Sequence, residues 1–210
     1  MTSLLETVRV RNGRAPLWPL HLRRLARSCE ALGVPFPSVL KVPAGGPDRV
    51  HRLEVGPGGV ALAERSVPPP APVRLVTTST VHPRYPHKVT ARQAFADADR
   101  EAARLGGDAA LLLTGGGLVA EASIWCLYWW EGDRIFAPAL ELGILEGVSR
   151  MRVEEIAGPV AERRVGPEAL EGRPVFVSNA VRGIVEVERF GALSVPVHPG
   201  TRRLAEAFWP

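Results

Sequence analysis

The run Pro68-Pro69-Pro70-Ala71-Pro72 constrains this chain more than any other segment. Four prolines in five positions fix φ and remove backbone donors, so the segment is stiff and extended and cannot join a helix or a central strand. Strand-like residues lie on both sides of it. The sequence therefore divides into a small N-terminal α/β domain at 1–67, a linker at 68–72 and a larger domain at 73–210. With 210 residues, 21 glycines and 20 prolines, the chain can bury a sizeable core and favours many short connections over long helices.

Several function classes are excluded early. No apolar run approaches the roughly 18 residues of a membrane span, and the start MTSLLETVRV lacks a charged region followed by an apolar core, so a cytoplasmic protein without a membrane partner is expected. Cys29 and Cys126 are far apart with no CxxC or Cys/His spacing, which predicts buried thiols rather than a metal site or disulfide. The net charge of +4 comes from scattered basic residues with no cluster beyond pairs such as Arg23-Arg24, a solvated surface rather than a nucleic-acid footprint.

The pattern along the chain gives the elements. Leu4 to Val10 reads as a strand, followed by a hairpin turn at Asn12-Gly13. Pro19 to Leu32 reads as an amphipathic helix closed by Gly33, with His21, Arg24 and Ser28 together beside the apolar stripe. The segment through Glu64 is too rich in Gly and Pro to assign. A strand at Val73 to Thr80, an irregular segment at His82 to Lys88 and a helix from Thr90 to Leu105 follow. Ala109 to Leu113 and Leu118 to Trp130 read as two strands of a hairpin, with a further strand at Arg134 to Phe136 and a helix from Val148. The remainder reads as a strand at 160–165, a short helix at 167–170, strands at 174–178 and 184–190, and a helix at 201–208.

Three features could carry chemistry. Lys41 and Lys88 are the only lysines beside 24 arginines. Arginine cannot replace an amine that must lose its proton and attack a carbonyl, and Lys88 sits ahead of a helix, where a side chain can project into a cleft. Glu121 is a lone carboxylate among Leu118, Val119, Ala120 and Ala122: buried, it requires a cationic neighbour, but period-two alternation allows it equally to face solvent. Leu145-Glu146-Gly147-Val148-Ser149 opens a helix whose free N–H groups and Ser149 hydroxyl suit a phosphate, although a serine there is equally a helix cap. Arg24, on an amphipathic helix, reads as a surface charge.

Residues 87 to 92, His-Lys-Val-Thr-Ala-Arg, resemble the HKTTNR-type segment around the cofactor lysine of class IV aminotransferases, the family of branched-chain and D-amino-acid aminotransferases and aminodeoxychorismate lyase. Leu118 to Ser123 is similar to its G-x-V-x-E-G-T strand, Phe136-Ala137-Pro138 to its TPP step, and LGILEGVSR at 142–150 to xGILPGxxR. VFVSNAVRGIVEV at 175–187 resembles VFLSNSLRGIxPV of the lyase-like branch. Glu6 to Val10 and His21 to Leu25 are similar to the family's ET-[IV]-R-[IV] strand and H-x-x-R-L helix.

The resemblance implies a mixed, largely antiparallel two-domain α/β fold of the D-amino-acid aminotransferase type, a homodimer, and pyridoxal 5'-phosphate as cofactor. It assigns Lys88 to the Schiff base and to proton transfer at the substrate's α carbon, Glu121 to the pyridine nitrogen, and Arg24, Val148, Ser149, Asn179 and Ala180 to the phosphate. Arg84, Tyr85 and Arg182 are candidate substrate carboxylate contacts. The implied reaction is conversion of 4-amino-4-deoxychorismate to 4-aminobenzoate and pyruvate; an amino-acid transaminase is the alternative, and a family member that keeps the fold only for binding is a third. The sequence departs from the family by starting almost at its ET, which predicts a shortened small domain, by replacing G-T-R-S-N-L-F after Glu121 with Ala122 to Tyr128, and by Ala at position 180, where only the N–H remains to meet a phosphate.

Overall fold

The computed structural model describes residues 3–41 and 43–210; residues 1, 2 and 42 of the expected 1–67 segment lie outside it. Strand β1 (Leu4–Val10) pairs antiparallel with β2 (Arg49–Gly56), which pairs with β3 (Gly59–Arg65). Side chains alternate across this three-stranded sheet. Leu4, Glu6 and Val8, opposite Val55, Leu53 and His51, form the face carrying helix α1 (Trp18–Leu32), where Leu4, Leu25, Cys29 and Val55 pack together. Leu5 and Thr7, opposite Glu54 and Arg52, share the other face.

The second half forms a nine-stranded sheet ordered β6 (Val119–Ala122), β5 (Ala109–Leu113), β4 (Val73–Val81), β11 (Gly183–Phe190), β10 (Val175–Asn179), β7 (Cys126–Glu131), β8 (Arg134–Pro138) and β9 (Ala161–Arg163), with β12 (Leu193–Ser194) beside β11. The pairs β4 with β5, β4 with β11 and β8 with β9 are parallel; the other pairs of this sheet are antiparallel. Helices α2 (Gln93–Arg104), α3 (Val148–Ala157) and α4 (Pro199–Ala207) flank it. Trp129, Phe136, Leu111 and Val177 build the core on one side, while Tyr128 stacks on Phe176 at 4.7 Å on the other. The architecture is the expected mixed, largely antiparallel α/β fold.

Local corrections have physical causes. The Asn12-Gly13 turn forms, with φ of 50° and 71°, but the chain leaves it for α1 instead of a second strand, because Pro16 and Pro19 deny that stretch ladder donors. Helix α2 starts at Gln93 rather than Thr90. Leu5 N–H donates to Lys88 O at 2.7 Å and Thr90 N–H to Ser3 O at 2.8 Å, so β1 holds this segment extended. The strand expected over 118–130 is two, since β6 joins β5 while β7 joins β10 and β8. The unassigned stretch before Glu64 contains the β2–β3 hairpin. The strand expected at 160–165 is confined to 161–163, and the last helix begins at Pro199.

Candidate active site

Lys88, Glu121, Ser149 and the turn after β10 meet at a cavity of about 230 Å³ between the two sheets. Sheet pairing brings distant residues there. Val81 at the end of β4 is paired with Leu113 of β5, and Leu112 with Glu121 of β6, so the residue after β4 reaches the carboxylate of β6. That residue is His82, buried, whose Nε2 lies 2.7 Å from Glu121 Oε1. Arg84 N–H donates to His82 Nδ1 at 3.2 Å, so the ring proton sits on Nε2 and His82 donates to Glu121. Glu121 is therefore buried and anchored through one oxygen, and nothing in its own strand pattern points to His82 as the partner.

Arg24 is not a surface charge but 5% exposed. The spacing of His21, Arg24 and Ser28 turns all three inward, onto Glu6 of β1 and onto His87. Glu6 accepts Arg24 Nε at 3.0 Å and Nη2 at 2.5 Å, and His21 Nδ1 at 2.5 Å; Ser28 Oγ lies 3.1 Å from His87 Nδ1. Burial opposes ionisation of Glu6, but the Arg24 charge and the His21 contacts overcome it and hold the carboxyl at about 2. Burial lowers His21 against the pull of Glu6, so this histidine is neutral near pH 7 and acts on Glu6 as a hydrogen-bond donor, not as an ion-pair partner. Its Nε2 has no hydrogen-bond partner among the described residues.

Lys88 lies in the extended segment held on β1. Desolvation, reinforced by the guanidiniums of Arg24 and Arg92 and only partly offset by Glu6 and Glu121, brings its amine from 10.5 down to about 7. An amine half neutral near pH 7 can attack a carbonyl and can accept a proton. Tyr85 fixes the loop before it: its hydroxyl accepts Val89 N–H at 2.7 Å and donates back to Val89 O.

The opposite wall is the start of α3. Gly147 precedes the helix, no side chain caps it, and the N–H groups of Val148 and Ser149 precede the first α-helical bond, from Met151 N–H to Gly147 O. A Cβ on Gly147 would lie 2.5 Å from Cys126 Sγ, so glycine is required for this close wall. Cys126, a half-buried residue, accepts from the Ser149 hydroxyl at 3.6 Å, and burial pushes its thiol up. After β10, Asn179 Oδ1 accepts Val181 N–H at 3.0 Å and Arg182 N–H at 2.8 Å, shaping the turn that carries Ala180.

Of the residues singled out in the sequence, Arg24, Tyr85, Lys88, Glu121, Val148, Ser149, Asn179, Ala180 and Arg182 line this cavity. Arg84 does not. It is exposed, in the left-handed region at φ 53°, with its guanidinium against Gly143. Tyr85 is present, but its hydroxyl is engaged by Val89. Residues the sequence reading missed are His82, the Glu6 and His21 partners of Arg24 as a buried cluster, and Arg52, Arg65 and Arg92 in the lining. A broader groove of about 850 Å³ continues past Pro68 and Arg182 toward Arg11 and Trp209, without lysine or histidine in its walls. Among the described residues no group of three or more His, Cys, Asp or Glu is arranged to hold a metal, and no helix is long and apolar enough to cross a membrane.

Residues 3–40 and 57–190 match the family model described as amino-transferase class IV. No curated protein matches the chain. Among solved structures, one from Legionella pneumophila, provisionally named a 4-amino-4-deoxychorismate lyase, superposes with TM-score 0.83 at 23% identity, covering 98% of this chain and 89% of that one. A branched-chain aminotransferase from Thermoproteus uzoniensis with norvaline gives 0.83 at 22% identity, covering 98% and 84%. An aminotransferase from Brucella abortus bound to pyridoxal phosphate gives 0.80 at 22% identity, covering 98% and 87%. At these identities the likeness establishes a shared fold.

Proposed function

The chain belongs to the class IV aminotransferase family, whose enzymes depend on pyridoxal phosphate, and on that premise we propose that it is a lyase converting 4-amino-4-deoxychorismate to 4-aminobenzoate and pyruvate. The observation that carries the reading is the VFVSNAVRGIVEV segment of β10 and β11. It is similar to the lyase-like branch, and its Ser178 to Arg182 turn lines the cavity.

The donor set fits the cofactor. A phosphate dianion matches the uncapped start of α3, the Ser149 hydroxyl and the Arg24 guanidinium, and the side-chain-free Gly147 lets the group approach the backbone. Glu121 keeps one carboxylate oxygen for a protonated ring nitrogen while His82 holds the other. Bound pyridoxal phosphate supplies a carbonyl for amine exchange and an electron sink for charge developing at the substrate's amine-bearing carbon.

The residues then divide the work. Arg24, the N–H groups of Val148, Ser149 and Ala180, and the Ser149 hydroxyl bind the phosphate; Asn179 shapes the turn that presents Ala180; Glu6 and His21 orient Arg24. Lys88 in its neutral form would hold the cofactor at its carbonyl carbon with loss of water, and once displaced by the substrate's amine it would take the proton from the substrate's amine-bearing carbon. The ring C–O bond to the enolpyruvyl group would then break, the departing enolate taking up a proton to become pyruvate; loss of the hydrogen and of that group from adjacent ring carbons would leave aromatic 4-aminobenzoate, released as Lys88 takes back the cofactor. The two sheets serve as two domains joined at residues 68–72, and the active form is a homodimer.

The test is to incubate cofactor-loaded protein with 4-amino-4-deoxychorismate. Equal amounts of 4-aminobenzoate and pyruvate are expected from wild type and none from Lys88→Ala. The transaminase reading draws support from the equal superposition on the branched-chain enzyme. Loaded protein that makes neither product, but passes an amino group from an amino acid to a 2-oxo acid, would establish it in place of the lyase.

A further inference from the structure

We propose that Arg65, assisted by Arg52, is a specificity determinant that selects an amino substrate bearing a second carboxylate, while Arg182 receives the first. The inference rests on the reading of this cavity as the reaction site. It begins with the free face of the three-stranded sheet. The register puts Leu5 and Thr7, Arg52, and Ala63 with Arg65 on the face away from α1, and Leu5, Thr7, Arg52 and Arg65 all line the cavity.

Charge matching then separates the cations. The cavity wall holds Lys88 and five arginines, Arg24, Arg52, Arg65, Arg92 and Arg182, against one carboxylate, Glu121. Arg24 is paired with Glu6, and Arg52 donates to Glu54 at 2.8 Å. Arg92 donates to Ser123 O at 2.6 Å and packs over the Phe95 ring at 4.5 Å. Arg65, Arg92 and Arg182 form no ion pair among the described residues, and of the three Arg65 alone makes neither a side-chain hydrogen bond nor a ring contact there, while Arg182, like Arg92, is held by a backbone carbonyl and an aromatic ring.

Arg65 and Arg182 lie beside the proline run. Arg65 ends β3 just before the proline run, and Arg182 donates to Ala71 O at the far end of that run while stacking over Trp125 at 5.0 Å. Pro68 lies in the cavity wall with them. A guanidinium presents a planar fork that matches a carboxylate, and two guanidiniums without a carboxylate partner in the wall of one cavity attract a dianion more than a monoanion. A substrate with a single carboxylate engages only one of them.

The test uses unreactive acids with cofactor-loaded protein, glutarate against butyrate, by isothermal titration calorimetry. Wild type is expected to bind glutarate at least about tenfold more tightly. Arg65→Gln should remove that preference while leaving butyrate affinity and the cofactor spectrum unchanged, and Arg65→Lys should restore part of it. Equal affinity of wild type for the two acids, or a preference that survives Arg65→Gln, would overturn the proposal. If wild type takes up no pyridoxal phosphate, the cofactor reading fails instead, and the same titration of the unloaded protein still decides the role of Arg65.

Discussion

At the scale of residues, the site depends on Glu6, a carboxylate buried to hold a cation rather than to react. Replacing it by Gln leaves Arg24 buried without its counter-charge, and such losses cost about 3–5 kcal/mol; urea unfolding should show that decrease. Because the folded value of Glu6 is about 2 against an ordinary 4.5, its stabilisation is complete above pH 4.5 and is lost as pH falls toward 2. Glu6→Gln should flatten the acid limb of the stability curve in that window. Lys88 has the same sign of linkage in a higher pH window. Its folded value near 7 lies below the ordinary 10.5, so the unfolded chain holds the extra proton between those values and stability of the cofactor-free protein rises with pH there. The rate at which that protein captures pyridoxal phosphate should rise with pH around an inflection near 7; an inflection near 10 would contradict the buried, cation-flanked amine. Lys88, which lines the cavity, was singled out by the His-Lys-Val-Thr-Ala-Arg motif at 87–92, because its scarcity among arginines was by itself too weak a signal. His82 was not, because only the pairing of β4 with β5 and of β5 with β6 carries residue 82 to residue 121.

At the scale of elements, the turn from Gly147 into α3 is the sharpest constraint. Gly147→Ala should weaken cofactor binding by at least about tenfold, since its Cβ meets Cys126 Sγ at 2.5 Å. Cys126→Ala removes that sulfur and should recover most of the loss in the double variant, read as visible absorbance against added cofactor; strictly additive losses would show that the contact is not the cause. Helices α1 and α3, β1 and the β10–β11 pair were readable because their periodicity and end signals are local. The failures share one physical origin: a strand's extent is set by its neighbours. β1 keeps 88–90 extended at the expense of the first turn of α2, and the ladder partners on either side split 118–130. The β2–β3 hairpin was obscured by Gly-Pro-Gly-Gly at 56–59, a strong turn whose flanking strands leave β3 exposed along its length.

At the scale of the whole molecule, function depends on two sheets that meet only if the chain crosses the proline run. One supplies Glu6, Arg52 and Arg65 and braces the Lys88 segment; the other supplies Glu121, the start of α3 and the turn after β10. Cofactor should therefore stabilise the entire fold, with thermal unfolding moving upward as pyridoxal phosphate is added and the shift absent in Lys88→Ala at matched concentrations. Covalent attachment at a single amine is decidable because the chain carries only two lysines. Borohydride reduction of the loaded protein followed by peptide mass mapping should find the pyridoxyl group on the peptide containing Lys88 and nowhere in Lys88→Ala. Labelling of Lys41 in its place, or no labelling at all, would contradict the account.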